Sequence, residues 1–146
     1  MTIIFKYKTV KRPDGSEVKA PMIPILLKGK ESFETLALVD SGADISAIPL
    51  ALAEILGLDL SSEKTPSYGI GGKVDSIETK INIAIEKGHE KYVFQIPVKV
   101  ILGSYDFPVL LGRAGFFDKF IISFDQTQER IALKKTGGQS LEARKV

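Results

Sequence analysis

Cysteine is absent from this 146-residue chain, and histidine occurs once, at His89. Without a thiol there is no disulfide, no thiolate nucleophile and no cysteine-based metal site. The single histidine stands in the charged turn Lys87-Gly88-His89-Glu90-Lys91, where a solvated side chain is expected. A zinc site would need unusual ligands, and a histidine-based triad would need His89 to leave its turn. The Ser41 hydroxyl is therefore a poor nucleophile candidate. An excess of charge of one sign is also missing: 20 basic and 18 acidic residues are interspersed, for a net charge of +2. That balance offers no electrostatic footprint for nucleic acid or a membrane surface, so neither is an expected partner. No apolar run approaches the ~18 residues of a membrane span. The opening stretch MTIIFKYKTVKR has no long apolar core behind its charges, so no signal peptide is expected and the expected location is the cytoplasm.

What is present belongs to a folded domain. Hydrophobic residues make up 44% and charged residues 26%, the shares of a globular protein and not of a disordered one. The length suits one domain with a sizeable core. The expected domain covers residues 1–134, with 135–146 a polar, glycine-containing and flexible tail.

Period-two alternation dominates the chain. Thr2 to Val10 reads as one strand with Ile3, Phe5 and Tyr7 on one face, turned at Pro13-Asp14-Gly15-Ser16. Ile23 to Lys28 and Phe33 to Val39 read as a pair of apolar strands. Pro49 to Leu56 reads as a helix, with proline in its first turn, Leu50, Ala53 and Leu56 on one face, and Gly57 as its stop. Ser61 to Pro66 reads as a polar connection. Ser76 to Glu86 and Tyr92 to Ile101 alternate cleanly and form a hairpin across Gly88-His89. Val109 to Leu111 is a short buried strand, Ala114 to Phe120 a short helix, and Ile121 to Phe124 with Ile131 to Leu133 a final hairpin. Phe116, Phe117 and Phe120 are expected in the core. Many short strands with one or two short helices indicate an all-β, barrel-like fold.

Three segments can carry chemistry. In the first, the apolar run Leu36 to Val39 drives into Asp40-Ser41-Gly42-Ala43-Asp44. An apolar strand delivers Asp40 to a depth where a carboxylate is costly. Gly42 permits a close backbone approach, and Ser41 can hydrogen-bond locally to hold the corner. Such an aspartate is either a structural turn residue or a catalytic group. The second segment, Tyr68-Gly69-Ile70-Gly71-Gly72, is either a loose hairpin turn or a mobile flap that hydrogen-bonds an extended peptide. The third, Val109-Leu110-Leu111-Gly112-Arg113, read plainly, is a core strand, a glycine break and a surface arginine.

An Asp-[Ser/Thr]-Gly triplet alone arises by chance in roughly one chain in ten of this size. In order, however, the three segments resemble the active-site loop, flap and Gly-Arg strand of the retropepsin-like aspartic proteases, over roughly Ile23 to Leu133. The resemblance implies a catalytic Asp40 supported by Ser41, Gly42 and Ala43. It implies substrate binding by Gly42, Asp44, Tyr68, Gly69, Ile70 and Gly71, with the glycines and Ile70 at the flap tip. It also implies a buried or half-buried ion pair between Asp44 and Arg113, on a strand that crosses the active-site loop. Where the family usually has Asp or Asn after this arginine, this chain has Ala114.

Hydrolysis by two carboxylates needs one protonated and one ionised, and two such groups about 3 Å apart share a proton. This chain has one Asp-[Ser/Thr]-Gly; Asp75, Asp106, Asp118 and Asp125 lack that context. The second carboxylate is therefore expected from Asp40 of another copy in a C2 homodimer acting on polypeptide, with no metal or organic cofactor. Two alternatives stand beside this: a catalytically silent module of the same fold that binds peptide or dimerises, and an unrelated small β-barrel in which Asp-Ser-Gly is only a turn.

Overall fold

The computed structural model describes residues 2–69 and 71–136. Strands β1 (Thr2–Lys6) and β2 (Lys8–Lys11) open the chain, followed by β3 (Glu17–Ala20), β4 (Met22–Lys28) and β5 (Ser32–Val39). After the Asp40 corner come β6 (Ser46–Pro49), helix α1 (Leu50–Leu56), β7 (Lys64–Gly69), β8 (Gly72–Lys87) and β9 (Glu90–Ile101). Strand β10 (Val109–Leu111), a 3₁₀ turn (Phe117–Lys119), β11 (Phe120–Asp125) and β12 (Arg130–Lys135) complete it. The architecture is all-β, as the alternation predicts.

Seven strands form the main sheet in the order β4-β5-β10-β6-β9-β8-β7, and a further β4–β8 pairing closes it on itself. Most neighbours are antiparallel, but β10 lies parallel to β5 and β6 parallel to β9. Closure hides the strand edges between β4 and β8 and gives one continuous interior. There Ile23, Leu27, Ile48, Ile83, Ile85, Val100 and Leu111 are essentially sealed from solvent. Each such side chain contributes about 1.5–3 kcal/mol relative to leaving it in water. Phe116 sits at the centre of an aromatic group, its ring 5.6 to 6.3 Å from those of Phe120, Phe117 and Phe94. A separate three-stranded sheet, β1-β12-β11, and the β2-β3 hairpin complete the structure.

Helix α1 starts after Pro49, which supplies no side-chain cap, and it ends on Gly57 in the left-handed conformation at φ 68°. The Leu58 N–H then bonds the Ala53 carbonyl and the Gly57 N–H that of Glu54, so the last turn closes on its own carbonyls. No described helix is long and apolar enough to cross a membrane.

Several local expectations are corrected or extended. Thr2 to Val10 is two strands, because the chain breaks at Tyr7, whose buried ring faces inward while its N–H bonds the Glu129 carbonyl. Ser46–Pro49 is a strand, and so is Lys64–Gly69, most of which reads as a polar connection by composition. Strand β6 is held by ladder partners distant in sequence, β9 and β10, and β7 by β8 across the neighbouring turn. Ala114 to Phe120 yields only the 3₁₀ turn, since Gly115 takes a φ of 86° that an α-helix cannot include. The last strand runs to Lys135, one residue into the expected tail; 137–146 lie outside the described residues.

Candidate active site

Strand β5 ends at Val39, paired with Leu111 of the parallel strand β10, and the next residue is Asp40. Parallel pairing in the barrel wall places the end of β5 beside the end of β10, so the two segments leave the sheet together. The Asp40 N–H bonds the Leu111 carbonyl at 3.0 Å, which fixes the backbone at the carboxylate. The corner then folds on itself: Ala43 N–H reaches the Asp40 carbonyl at 3.2 Å, and Gly42 N–H donates to Asp40 Oδ1 at 2.9 Å. The carboxylate is half-buried. Its Oδ2 has no protein partner among the described residues.

The segment after β10 threads this loop. Arg113 N–H bonds the Ala43 carbonyl and Ala114 N–H the Asp44 carbonyl, each at 2.8 Å. Gly112 N–H donates to Ser46 Oγ at 2.9 Å, and Ser46 is fully buried. The fit leaves no room for a side chain at 112. A Cβ there would stand 2.7 Å from the Ile45 carbonyl carbon, 2.8 Å from the Ala43 oxygen and 2.9 Å from the Ile45 oxygen. Backbone atoms line all three contacts, so relief requires the loop itself to move. Ala114 makes its bond through the backbone, so the missing Asp or Asn side chain does not cost the loop this tie.

Arg113 departs from expectation. Its Nη1 donates to the Ser41 carbonyl at 2.7 Å, and no ion pair joins it to Asp44 among the described residues. Both side chains are exposed and not half-buried. An exposed pair is worth about 0–1 kcal/mol, too little to outweigh a well-placed carbonyl acceptor in the same loop. The arginine thus grips the Asp40 corner by its backbone.

Tyr68 and Gly69 end β7, Gly71 lies in the turn, and β8 begins at Gly72, with Gly69 paired to Gly72 and Tyr68 to Lys73. Ile70 lies outside the described residues. A Cβ at Gly69, Gly71 or Gly72 would meet nothing within 4 Å, and Tyr68 is 77% exposed. At the base of this hairpin, buried Ser76 Oγ bonds Ser67 Oγ at 2.8 Å and the Thr65 carbonyl at 3.3 Å. Among the described residues no hydrogen bond joins the hairpin to the Asp40 loop. A groove of about 430 Å³ lies elsewhere, between β4, β5 and β8, and includes none of these residues. His89 is exposed in the β8–β9 turn. Sequence reasoning missed Ser46; its signal was a lone hydroxyl entering an otherwise apolar strand.

This threaded Asp-Ser-Gly loop in a closed barrel is the arrangement of an acid-protease domain. A family model described as aspartyl protease matches residues 23–113, which span all three segments, and the chain belongs to that family. Among solved structures it is similar to a retropepsin-like aspartic protease from Rickettsia conorii, with a TM-score of 0.57 and 20% identity over 91% of this chain and 92% of that one. It is also similar to the EIAV protease complexed with the inhibitor HBY-793, with a TM-score of 0.43 and 23% identity over 71% and 88%. No curated protein matches the sequence. The fold is retropepsin-like.

Proposed function

We propose that this chain is an aspartic endopeptidase whose two catalytic carboxylates are Asp40 from each subunit of a C2 homodimer. The observation that carries the reading is the state of Asp40: half-buried, with Oδ1 anchored by Gly42 N–H and Oδ2 without a protein partner. The turn aspartate Asp59 accepts from Ser61 N–H in the same way but stands exposed. Asp40 differs in being half-buried, with its own N–H bonded to Leu111 at the head of the threaded segment.

Across a two-fold axis the pair holds one proton between them. The ionised carboxylate takes a proton from water as that water attacks the peptide carbonyl, and the protonated one donates to the carbonyl oxygen. As the tetrahedral species collapses, the carboxyl that took the water's proton gives it to the departing nitrogen, the other carboxylate takes a proton back from a hydroxyl of the intermediate, and the C–N bond breaks with the pair again singly protonated. Bonds through the Asp40, Gly42 and Ala43 amides hold the carboxylate in place throughout, which is what preorganisation requires. The substrate is an extended polypeptide lying between the two loops and the two β7–β8 hairpins, which act as flaps through Tyr68, Gly69, Ile70 and Gly71. The Gly42 carbonyl and the Asp44 carboxylate, neither engaged among the described residues, serve as acceptors for substrate amides.

The test is cleavage of a peptide library by the purified chain and by Asp40→Asn. The wild type should cleave, and the variant should lose activity by about 10⁴-fold or more, as expected when one member of a catalytic unit is removed. Appreciable turnover by Asp40→Asn would overturn the assignment. Peptide binding without cleavage by the wild type would leave only the silent module.

A further inference from the structure

Two serines are fully buried among the described residues, Ser46 and Ser76. A hydroxyl withdrawn from water costs free energy unless it finds a partner, and both have one. Ser46 serves the Asp40 loop through Gly112. Ser76 lies in strand β8 with buried Ile77 next to it, so both faces of the strand are covered there. An apolar side chain would suit that setting, and a serine stands in it instead.

The sheet changes character at this residue. Strand β9 pairs with β8 from Lys87 down to Ser76, whose rung to Ile101 is the last. One further bond, from Leu102 N–H to the Asp75 carbonyl at 3.0 Å, ends that support. Strand β7 pairs with β8 from Ile77 to Gly72, and it is the edge of the main sheet. From Val74 toward the tip, then, the hairpin is a two-stranded ribbon with no third strand beside it among the described residues. Such a ribbon is marginally stable by itself. Ser76 stands at the junction where the wall becomes the ribbon.

Ser76 is opposite Thr65 and Ser67 is opposite Val74, so the two serines are diagonal neighbours on one face of the pair. A hydroxyl has one proton to donate. Ser76 donates its own to the Thr65 carbonyl at 3.3 Å, which leaves Ser67 to donate to Ser76 Oγ at 2.8 Å. The relay ties the last supported rung to the first rung of the free ribbon. A bend at the junction must break it, because Ser76 lies on the fixed side and Ser67 on the moving side. Resting on the reading of this hairpin as the flap, we propose that Ser76 and Ser67 are positioning residues for cleavage. Their hydroxyl clasp stiffens the root of the hairpin and raises the fraction of molecules in which it stands ready to close on substrate.

Residue-resolved amide hydrogen exchange on the full chain, without substrate, reads the clasp directly. Ser76→Ala and Ser67→Ala should each speed exchange at the hairpin amides of 67–69 and 72–74 by about three- to ten-fold, the equilibrium effect of one neutral hydrogen bond. The amides of 78–87, flanked by β9, should keep their rates. The double variant should exchange no faster than Ser76→Ala alone, since that change already removes the clasp. Ser67→Thr keeps the hydroxyl at a half-buried position and should keep wild-type rates. With a peptide that the wild type cleaves, both alanine variants should raise KM by a similar factor and leave kcat within about two-fold, because fewer molecules stand ready to bind. Hairpin rates unchanged in both alanine variants, or raised equally through β8 and β9, would overturn the clasp while leaving the flap reading standing. Faster hairpin exchange with KM and kcat both unchanged would remove the hairpin from the reaction, and with it the reading on which the proposal rests.

Discussion

Gly112 and Gly71 are the same residue put to opposite uses. At Gly112 the backbone is packed so closely against Ala43 and Ile45 that a single added carbon would stand under 3 Å from three backbone atoms. At Gly71 an added carbon would touch nothing. The first glycine lets one segment pass through the loop of another and so fixes a carboxylate in space. The second belongs to the β7–β8 turn, where an added carbon would stand in open space. Under the proposed function both have a use: a rigid point where charge develops, and an open hairpin to close over the chain to be cut. The contrast teaches that glycine content alone says little about mobility; the neighbours decide.

The difference can be broken first at Gly112. Gly112→Ala should destabilise the fold by about 3 kcal/mol or more, the scale of overpacking against atoms that cannot rotate away. Denaturant unfolding measures the loss, and a change below about 1 kcal/mol would show the loop to be softer than its packing implies. Next comes Ser46→Ala, which strips the buried Gly112 N–H of its acceptor. The expected cost is about 1–3 kcal/mol for an unsatisfied buried donor. Threonine at 46 should restore most of that loss where alanine does not.

The smallest effect on stability belongs to the hairpin. Gly71→Ala should change unfolding free energy by less than about 1 kcal/mol in either direction, the range for glycine-to-alanine changes in open loops. It should nevertheless lower kcat/KM, because a stiffer tip closes less readily on substrate. Equal losses in stability from Gly112→Ala and Gly71→Ala would erase the distinction drawn here. Arg113→Ala sharpens it from a third side. It removes the bond to the Ser41 carbonyl at an exposed position, so the cost should be about 1.5–3 kcal/mol at most, the range for a hydrogen bond with one charged partner.

Much of this was legible in the sequence because the physics was local. Alternation located β8 and β9, Gly57 stopped α1, and an apolar run ending in Asp-Ser-Gly marked the corner at Asp40. What was not legible depends on pairing partners that composition does not reveal, some of them far along the chain. Strand β7 has the composition of a loop and becomes a strand only because β8 lies beside it. Ser46 looks like an ordinary small polar residue until Gly112 arrives 66 positions later to use its oxygen. Arg113 was read as the partner of a charge, yet an exposed guanidinium with a carbonyl nearby had no reason to choose the carboxylate. Isolated side-chain preferences predict such choices poorly at a surface, where the competing energies differ by little.

The central claim is that one active site is built from Asp40 of two chains, and mixing tests it most directly. Wild-type and Asp40→Asn chains, combined in varying proportion at constant total concentration and allowed to exchange subunits, should lose activity as the square of the wild-type fraction. The mixed dimer has one carboxylate and cannot hold the shared proton, so only wild-type pairs cleave. Activity that falls in simple proportion to the wild-type fraction would mean that each chain carries a complete site, and would contradict the account.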